Sequence, residues 1–240
     1  MKQTKEKRYS FARETFARLM KNKLAMFGLF VLFILILTAI FADQIAPYSY
    51  DRMDLLNAYQ FPCREHIFGT DEFGRDIFSR VVYGSRISLR VGFIAVGIAV
   101  AAGGLLGAVA GYYGGWTDNL IMRAMDVIMS IPATLLAISI AAALGAGLTN
   151  LMIATGIASI PTYARIVRAS VLGIKEQEFV EAAKAVGTRD FTILRKHILP
   201  NCLAPIIVQA TLGVAFAILT AAGLSFIGLG IEPPMPEWGA

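Results

Sequence analysis

Charged residues are absent from four long stretches: Leu24 to Ala42, Val91 to Thr117, Val127 to Ala164 and Asn201 to Ile231. A helix rises about 1.5 Å per residue, so roughly 20 residues cross a hydrocarbon core about 30 Å thick, and each stretch is long enough to span. The third stretch is too long for one crossing, about 57 Å as a single helix. Gly145, Gly147 and Asn150 interrupt its middle, so it reads as two spans joined by a tight turn. The pattern predicts an all-α fold, a polytopic transmembrane helical bundle with spans at 24–42, 88–112, 127–145, 150–167 and 203–228. The remaining organisation is a cytoplasmic tail over 1–23, an anchor over 24–42, an extracytoplasmic loop over 43–86 and a membrane core over 87–240.

Composition agrees. Apolar residues make up 56% of the chain, charged residues only 16%, and the mean hydropathy is +0.62, outside the range of ordinary soluble domains. The first span is full length and follows a basic tail, so it reads as a retained anchor and not as a cleaved signal. Orientation follows from lysine and arginine, which are retained in cytoplasmic segments. With the N-terminus inside, the tail through Lys23 and the segments 112–126 and 165–202 hold sixteen of these residues, including all eight lysines, against six on the other side. The net charge of +5 is explained this way and requires no nucleic acid.

Before the first span, Phe11, Thr15, Phe16, Leu19 and Met20 share a helical side with Arg13, Arg18 and Lys21 interspersed and Ser10 as N-cap. This is the pattern of a helix lying on the inner membrane surface. Cys63 and Cys202 fall on opposite sides, so no intrachain disulfide is expected. In the second span Gly103, Gly107 and Gly111 recur every fourth residue, with Gly104 alongside, a face that lets helices approach closely in lipid.

The segment 175–201 is polar enough to be solvated yet has helical apolar spacing, and it reads as two short helices. In the first, Phe179, Ala183 and Val186 recur at i, i+4 and i+7, and Gly187 supplies the left-handed end. In the second, Phe191, Leu194 and Ile198 share a face, Thr188 or Asp190 caps the start, and Pro200 stops it. The expectation is a hairpin with an apolar face available for docking.

The run EAAKAVG, then nine residues, then HILP resembles the EAA loop of ATP-binding-cassette importer permeases. His197 stands where isoleucine is usual, a departure that resembles the peptide and nickel branch. FGTDEFGRDIFSRVVYGSRISL from Phe68 to Leu89, GYYGGWTDNLIMRAMD and GLSFIGLGIEPPMPEWGA resemble the C-type subunit of the dipeptide, oligopeptide and nickel permeases, so the resemblance covers the whole chain. It implies a MetI-like permease fold of six spans, of which five are present, with the chain ending before the last. It also implies a cytoplasmic (inner) membrane location in a bacterium or archaeon.

The implied partners are two ATPase subunits, a homologous second permease subunit, an extracytoplasmic solute-binding protein and the lipid bilayer. ATP and magnesium would sit on the ATPase subunits, and no cofactor on this chain. The residues implied at the ATPase contact are Phe179, Glu181, Ala182, Ala183, Gly187, His197, Leu199 and Pro200. Ala182 and Ala183 permit close approach, Glu181 offers a carboxylate, and Gly187 sets the turn. Di- and oligopeptides are the commoner implied cargo and nickel the minority one.

No GxxxxGK[ST] sequence occurs, so the phosphate-cradling loop of a nucleotide hydrolase is missing and the energy for transport must come from elsewhere. His66 and His197 are predicted on opposite sides, and the CxxH spacing at Cys63 and His66 gives only two candidate ligands, so neither a catalytic nor a metal site is expected. An ion-coupled transporter or channel would place ionisable groups within its spans. Here Arg123, Asp126, Arg165 and Arg168 sit at the inner ends instead. Ser130, Ser139, Thr155, Ser159, Thr162, Gln209 and Thr211 are candidates either to line a pathway or to hydrogen-bond within and between helices.

Overall fold

The computed structural model describes residues 19–239. The expected surface helix over 10–20 falls almost wholly outside them. Among the described residues there is no strand, only an isolated bridge between Thr70 and Asp76.

Helix α1 (Lys23–Ile40) begins at Asn22, whose side-chain oxygen accepts from the amides of Leu24 (3.1 Å) and Ala25 (3.2 Å). Those are two of the four donors that every helix start leaves open. None of its residues is buried, so its apolar surface is left to lipid. A single turn, α2 (Ala42–Ile45), follows.

The loop after α2 is tied to the start of α3 (Ile77–Tyr113) by the N-cap Asp76. One Asp76 oxygen accepts from the amide and the hydroxyl of Ser79, both at 2.7 Å, and the other contacts His66 Nδ1 at 2.9 Å. The Tyr48 amide donates to Ser79 Oγ at 3.2 Å. His66 is therefore a loop histidine engaged in anchoring the chain.

At about 55 Å, α3 is far longer than a membrane crossing. Its main partner is α6 (Leu148–Lys175). A Cβ added at Gly103 would stand 2.5 Å from the Ile160 carbonyl oxygen, and one at Gly107 would stand 2.2 Å from that of Ala164. The four-residue glycine spacing is thus a backbone-to-backbone contact, the arrangement small residues permit in lipid. Between these helices the chain forms α4 (Gly115–Met129) and α5 (Ala133–Leu144), bent by 84° at their junction.

The continuous helix expected over 127–145 is therefore broken at 130–132. Pro132 lacks an amide donor and disfavours helical geometry at Ile131, and the charge-free pattern does not register either effect. Among the described residues, three helical runs are long and apolar enough to cross a membrane, Lys23–Ile40, Ile77–Tyr113 and Asp190–Phe226, or four if the bent pair is one span. The 28-residue α6 falls outside that set because Asn150, Thr155, Ser159, Thr162, Arg165 and Arg168 dilute its apolarity. It packs on α3, α5 and α9 (Leu203–Phe226).

One core cluster joins Val91 of α3, Ala137 and Ala141 of α5, Leu151 and Ala154 of α6, and Ala221 and Leu224 of α9. A second surrounds Tyr163, whose hydroxyl donates to the Gln209 carbonyl at 3.2 Å. Arg168 donates to Asp118 at 2.6 Å and Arg165 to Asp126 at 2.5 Å, so α6 is pinned to α4 by two ion pairs. Ser130, Ser139, Ser159 and Thr211 donate to carbonyls three or four residues back on their own segments. This is the local back-bonding alternative to lining a pathway. Cys63 and Cys202 are both free.

Candidate functional site

Beyond Lys175 the chain folds into the hairpin that the spacing predicts. Helix α7 (Glu178–Ala185) has Glu178 and Glu181 in its first turn and Lys184 in its last, the order its dipole favours. It ends on Gly187 at φ +74°. The Thr188 amide donates to the Ala183 carbonyl at 3.1 Å and the Gly187 amide to that of Lys184 at 2.9 Å, the paired bonds that close a helix on a left-handed residue. The next helix, α8 (Asp190–Ile193), widens into a π turn over Leu194–Ile198 and tightens into a 3₁₀ turn over Leu199–Cys202. It then runs directly into α9.

Pro200 therefore does not stop the helix, as the sequence implies it should. The change of helical type accommodates its ring and its missing donor. The consequence is mechanical, since the hairpin and the last apolar helix form one continuous arm.

The inner side of the hairpin is built from Val180, Ala183, Ile193, Ile198 and Cys202. They pack on Ala108 and Tyr112 of α3 and on Val167 and Val171 of α6. The Tyr112 hydroxyl donates to Asp190 at 2.6 Å. Lys175 and Lys184 each place an ammonium 5.8 Å from the Tyr112 ring centroid, within cation–π range. Asp190 is thus a tertiary acceptor, and the N-cap of α8 is Arg189, without a side-chain cap bond.

The outer side carries Phe179 (40% exposed), Val186 (81%) and Phe191 (71%), with Glu181 and Ala182 also exposed. The face expected from Phe179, Ala183 and Val186 is therefore split. Ala183 turns inward with Val180, whereas Phe179, Ala182 and Val186 face out at i, i+3 and i+7. In the second half Ile198 is buried, Leu194 and Leu199 are half-buried, and Phe191 is out. His197 is half-buried and its carbonyl accepts from Asn201 at 2.6 Å, while Pro200 is exposed. Of the eight implied residues, Phe179, Glu181, Ala182, Gly187 and Pro200 are exposed, His197 is half-buried, and Ala183 and Leu199 serve the packing of the hairpin. The spacing misses Tyr112, because no local signal links it to Asp190 across the intervening membrane helices.

The profile of a family described as "Binding-protein-dependent transport system inner membrane component" matches residues 103–240, more than half of the chain. The chain belongs to this family of transport permeases. A second profile, the N-terminal TM domain of oligopeptide transport permease C, matches residues 10–62.

The permease is 53% identical over 227 residues to the dipeptide transport system permease protein DppC of Alkalihalophilus pseudofirmus, covering 95% of this chain and 75% of that protein. It is 48% identical over 228 residues to the glutathione transport system permease protein GsiD of Escherichia coli, with the same coverage of each. Its fold is that of the MetNI methionine ABC transporter in an inward-facing structure, at a TM-score of 0.56 and 21% identity, covering 63% of this chain and 76% of that one. The permease is a membrane-embedded transport subunit with a MetI-like fold and is not itself an enzyme.

Proposed function

We propose that this permease forms half of the translocation pathway of an ATP-driven, binding-protein-dependent importer of di- and oligopeptides, and that its hairpin over 175–201 docks on a separate ATPase. The observation that carries the reading is the exposed apolar surface of Phe179, Val186 and Phe191, the last two on either side of the Gly187 turn. A hairpin with its own buried core has no internal use for three large exposed apolar side chains, and such patches mark interaction surfaces. The continuous arm into α9 gives docking a route into the bundle. Closure of an ATPase pair would move the hairpin and the last apolar helix as one body.

The partners in this reading are two ATPase subunits that bind ATP and magnesium, a homologous second permease subunit and an extracytoplasmic solute-binding protein. The N-terminus is cytoplasmic. Peptide cargo is supported by relatives named for dipeptide and for glutathione, itself a small peptide.

Proteoliposomes holding the assembled transporter test the function. Labelled dipeptide is expected to accumulate only with ATP and the binding protein present, and nickel is not. Nickel uptake without dipeptide uptake would move the cargo to the metal branch. Uptake driven by an ion gradient without ATP would overturn the reading.

A further inference from the structure

At the end of the bundle opposite the hairpin, α3, the segment after α1 and the segment after α9 leave a cleft of about 300 Å³, lined by Asp43, Tyr50, Tyr83, Arg86, Arg90 and Pro236. Arg86 is already engaged, donating to the carbonyls of Ala39 (2.9 Å) and Ile40 (3.2 Å) and to Asp43 (3.1 Å). These bonds set the depth of the cleft. The 18 residues of α1 measure about 27 Å, close to the thickness of the hydrocarbon core, so its last carbonyls mark the boundary with the headgroups.

Arg90 lies one turn further along α3, about 6 Å deeper on the same helix side. It is exposed and makes no hydrogen bond or ion pair among the described residues. A guanidinium at that depth requires an anion or a route back to the headgroups. Arg86 holds the end of α1 beside the cleft, and α1 buries none of its residues, so a lipid following α1 reaches the opening. Asp43 matches Arg86, and Arg90 leaves one positive charge, the complement of one phosphodiester. The rings of Tyr50 and Tyr83, in edge contact at 5.3 Å, bring two phenols to the same wall, the residue type that populates membrane interfaces.

We propose that this cleft binds the phosphodiester of a glycerophospholipid in the adjacent leaflet, with Arg90 as its principal partner. The phosphate accepts charge-assisted bonds from the Arg90 guanidinium, and the acyl chains run down the unburied side of α1. The site is separate from the hairpin.

The test uses the assembled transporter with the full-length chain, purified in detergent and incubated with a phosphatidylglycerol carrying a photoreactive group beside its headgroup. Label is expected in peptides covering 43–50 or 83–90, competed by unlabelled phosphatidylglycerol and not by excess inorganic phosphate. Arg90→Gln should weaken labelling roughly tenfold, the loss of one charge-assisted contact, and Arg90→Lys should keep most of it. Undiminished labelling in Arg90→Gln overturns the proposal. Should that variant fail to assemble, the wild-type map decides, and absence of label from both segments overturns it. Displacement by inorganic phosphate overturns the lipid as the source of the bound group.

Discussion

Gly187→Trp is expected to leave the permease folded in the membrane while uptake by the assembled transporter falls by more than an order of magnitude. The local cost is small, because the position holds φ +74° and a side chain there carries about 1–2 kcal/mol of left-handed strain. Among the described residues no atom stands within 4 Å of an added Cβ. The indole instead projects from the turn that separates Val186 from Phe191, the region proposed to enter the ATPase. Removing one well-packed anchor from an interface commonly costs about 2 kcal/mol or more, roughly thirtyfold in affinity.

Gly187→Asn separates the two causes. Asparagine tolerates the left-handed region and is small, so coupling should survive. ATP hydrolysis and dipeptide uptake measured on both variants check this. Full uptake with Gly187→Trp would remove the turn from the docking surface.

The second large effect is expected at the other kind of glycine. Gly107→Leu places its Cβ 2.2 Å from the Ala164 carbonyl oxygen and 3.0 Å from the Arg168 amide nitrogen. Backbone cannot yield as a side-chain end can, so α3 and α6 must separate, breaking the contact on which α5 and α9 also pack. Overpacking a core commonly costs about 1–3 kcal/mol, and a clash against helical backbone belongs at or above the top of that range. Gly104→Leu is the control, because no atom lies within 4 Å of its Cβ, and a substitution free of such contacts stays within about 0.5 kcal/mol. Thermal unfolding of the detergent-solubilised transporter should show a large loss for Gly107→Leu and little for Gly104→Leu. Equal losses would mean that the glycine face is not the seam between the helices.

These two glycines show how far the sequence reaches. The four-residue spacing of Gly103, Gly107 and Gly111 announces a close helix contact, but nothing in it names α6 as the partner, because the pairing is a tertiary choice. The φ of Gly187 is readable because a helix with apolar spacing ends there and only glycine enters the left-handed region without cost. The hairpin itself is legible from its apolar spacing, whereas its inward and outward sides are not. Helix α7 has only eight residues, and over two turns Phe179, Val180, Ala182, Ala183 and Val186 fit more than one stripe. Packing on Tyr112, Val167 and Val171 decides which stripe is buried.

The break before Pro132 escapes for a different reason. A search for charge-free stretches sees Ser130, Ile131 and Pro132 as permissible membrane residues and does not register a missing backbone donor. Pro200 is the opposite case. The residue that ought to end a helix is absorbed by a π turn and a 3₁₀ turn, and the arm from the hairpin into α9 stays whole.

In the proposed assembly the exposed side of the hairpin, and not its buried side, meets a separate ATPase. Cysteine cross-linking in the assembled transporter, with Cys63 and Cys202 replaced, tests it directly. Val186→Cys and Phe191→Cys should each form a disulfide to a cysteine introduced in the ATPase subunit, and Val180→Cys, at a fully buried position, should not. Failure of both exposed positions to cross-link in a transporter that still imports peptide would exclude this side of the hairpin as the ATPase contact.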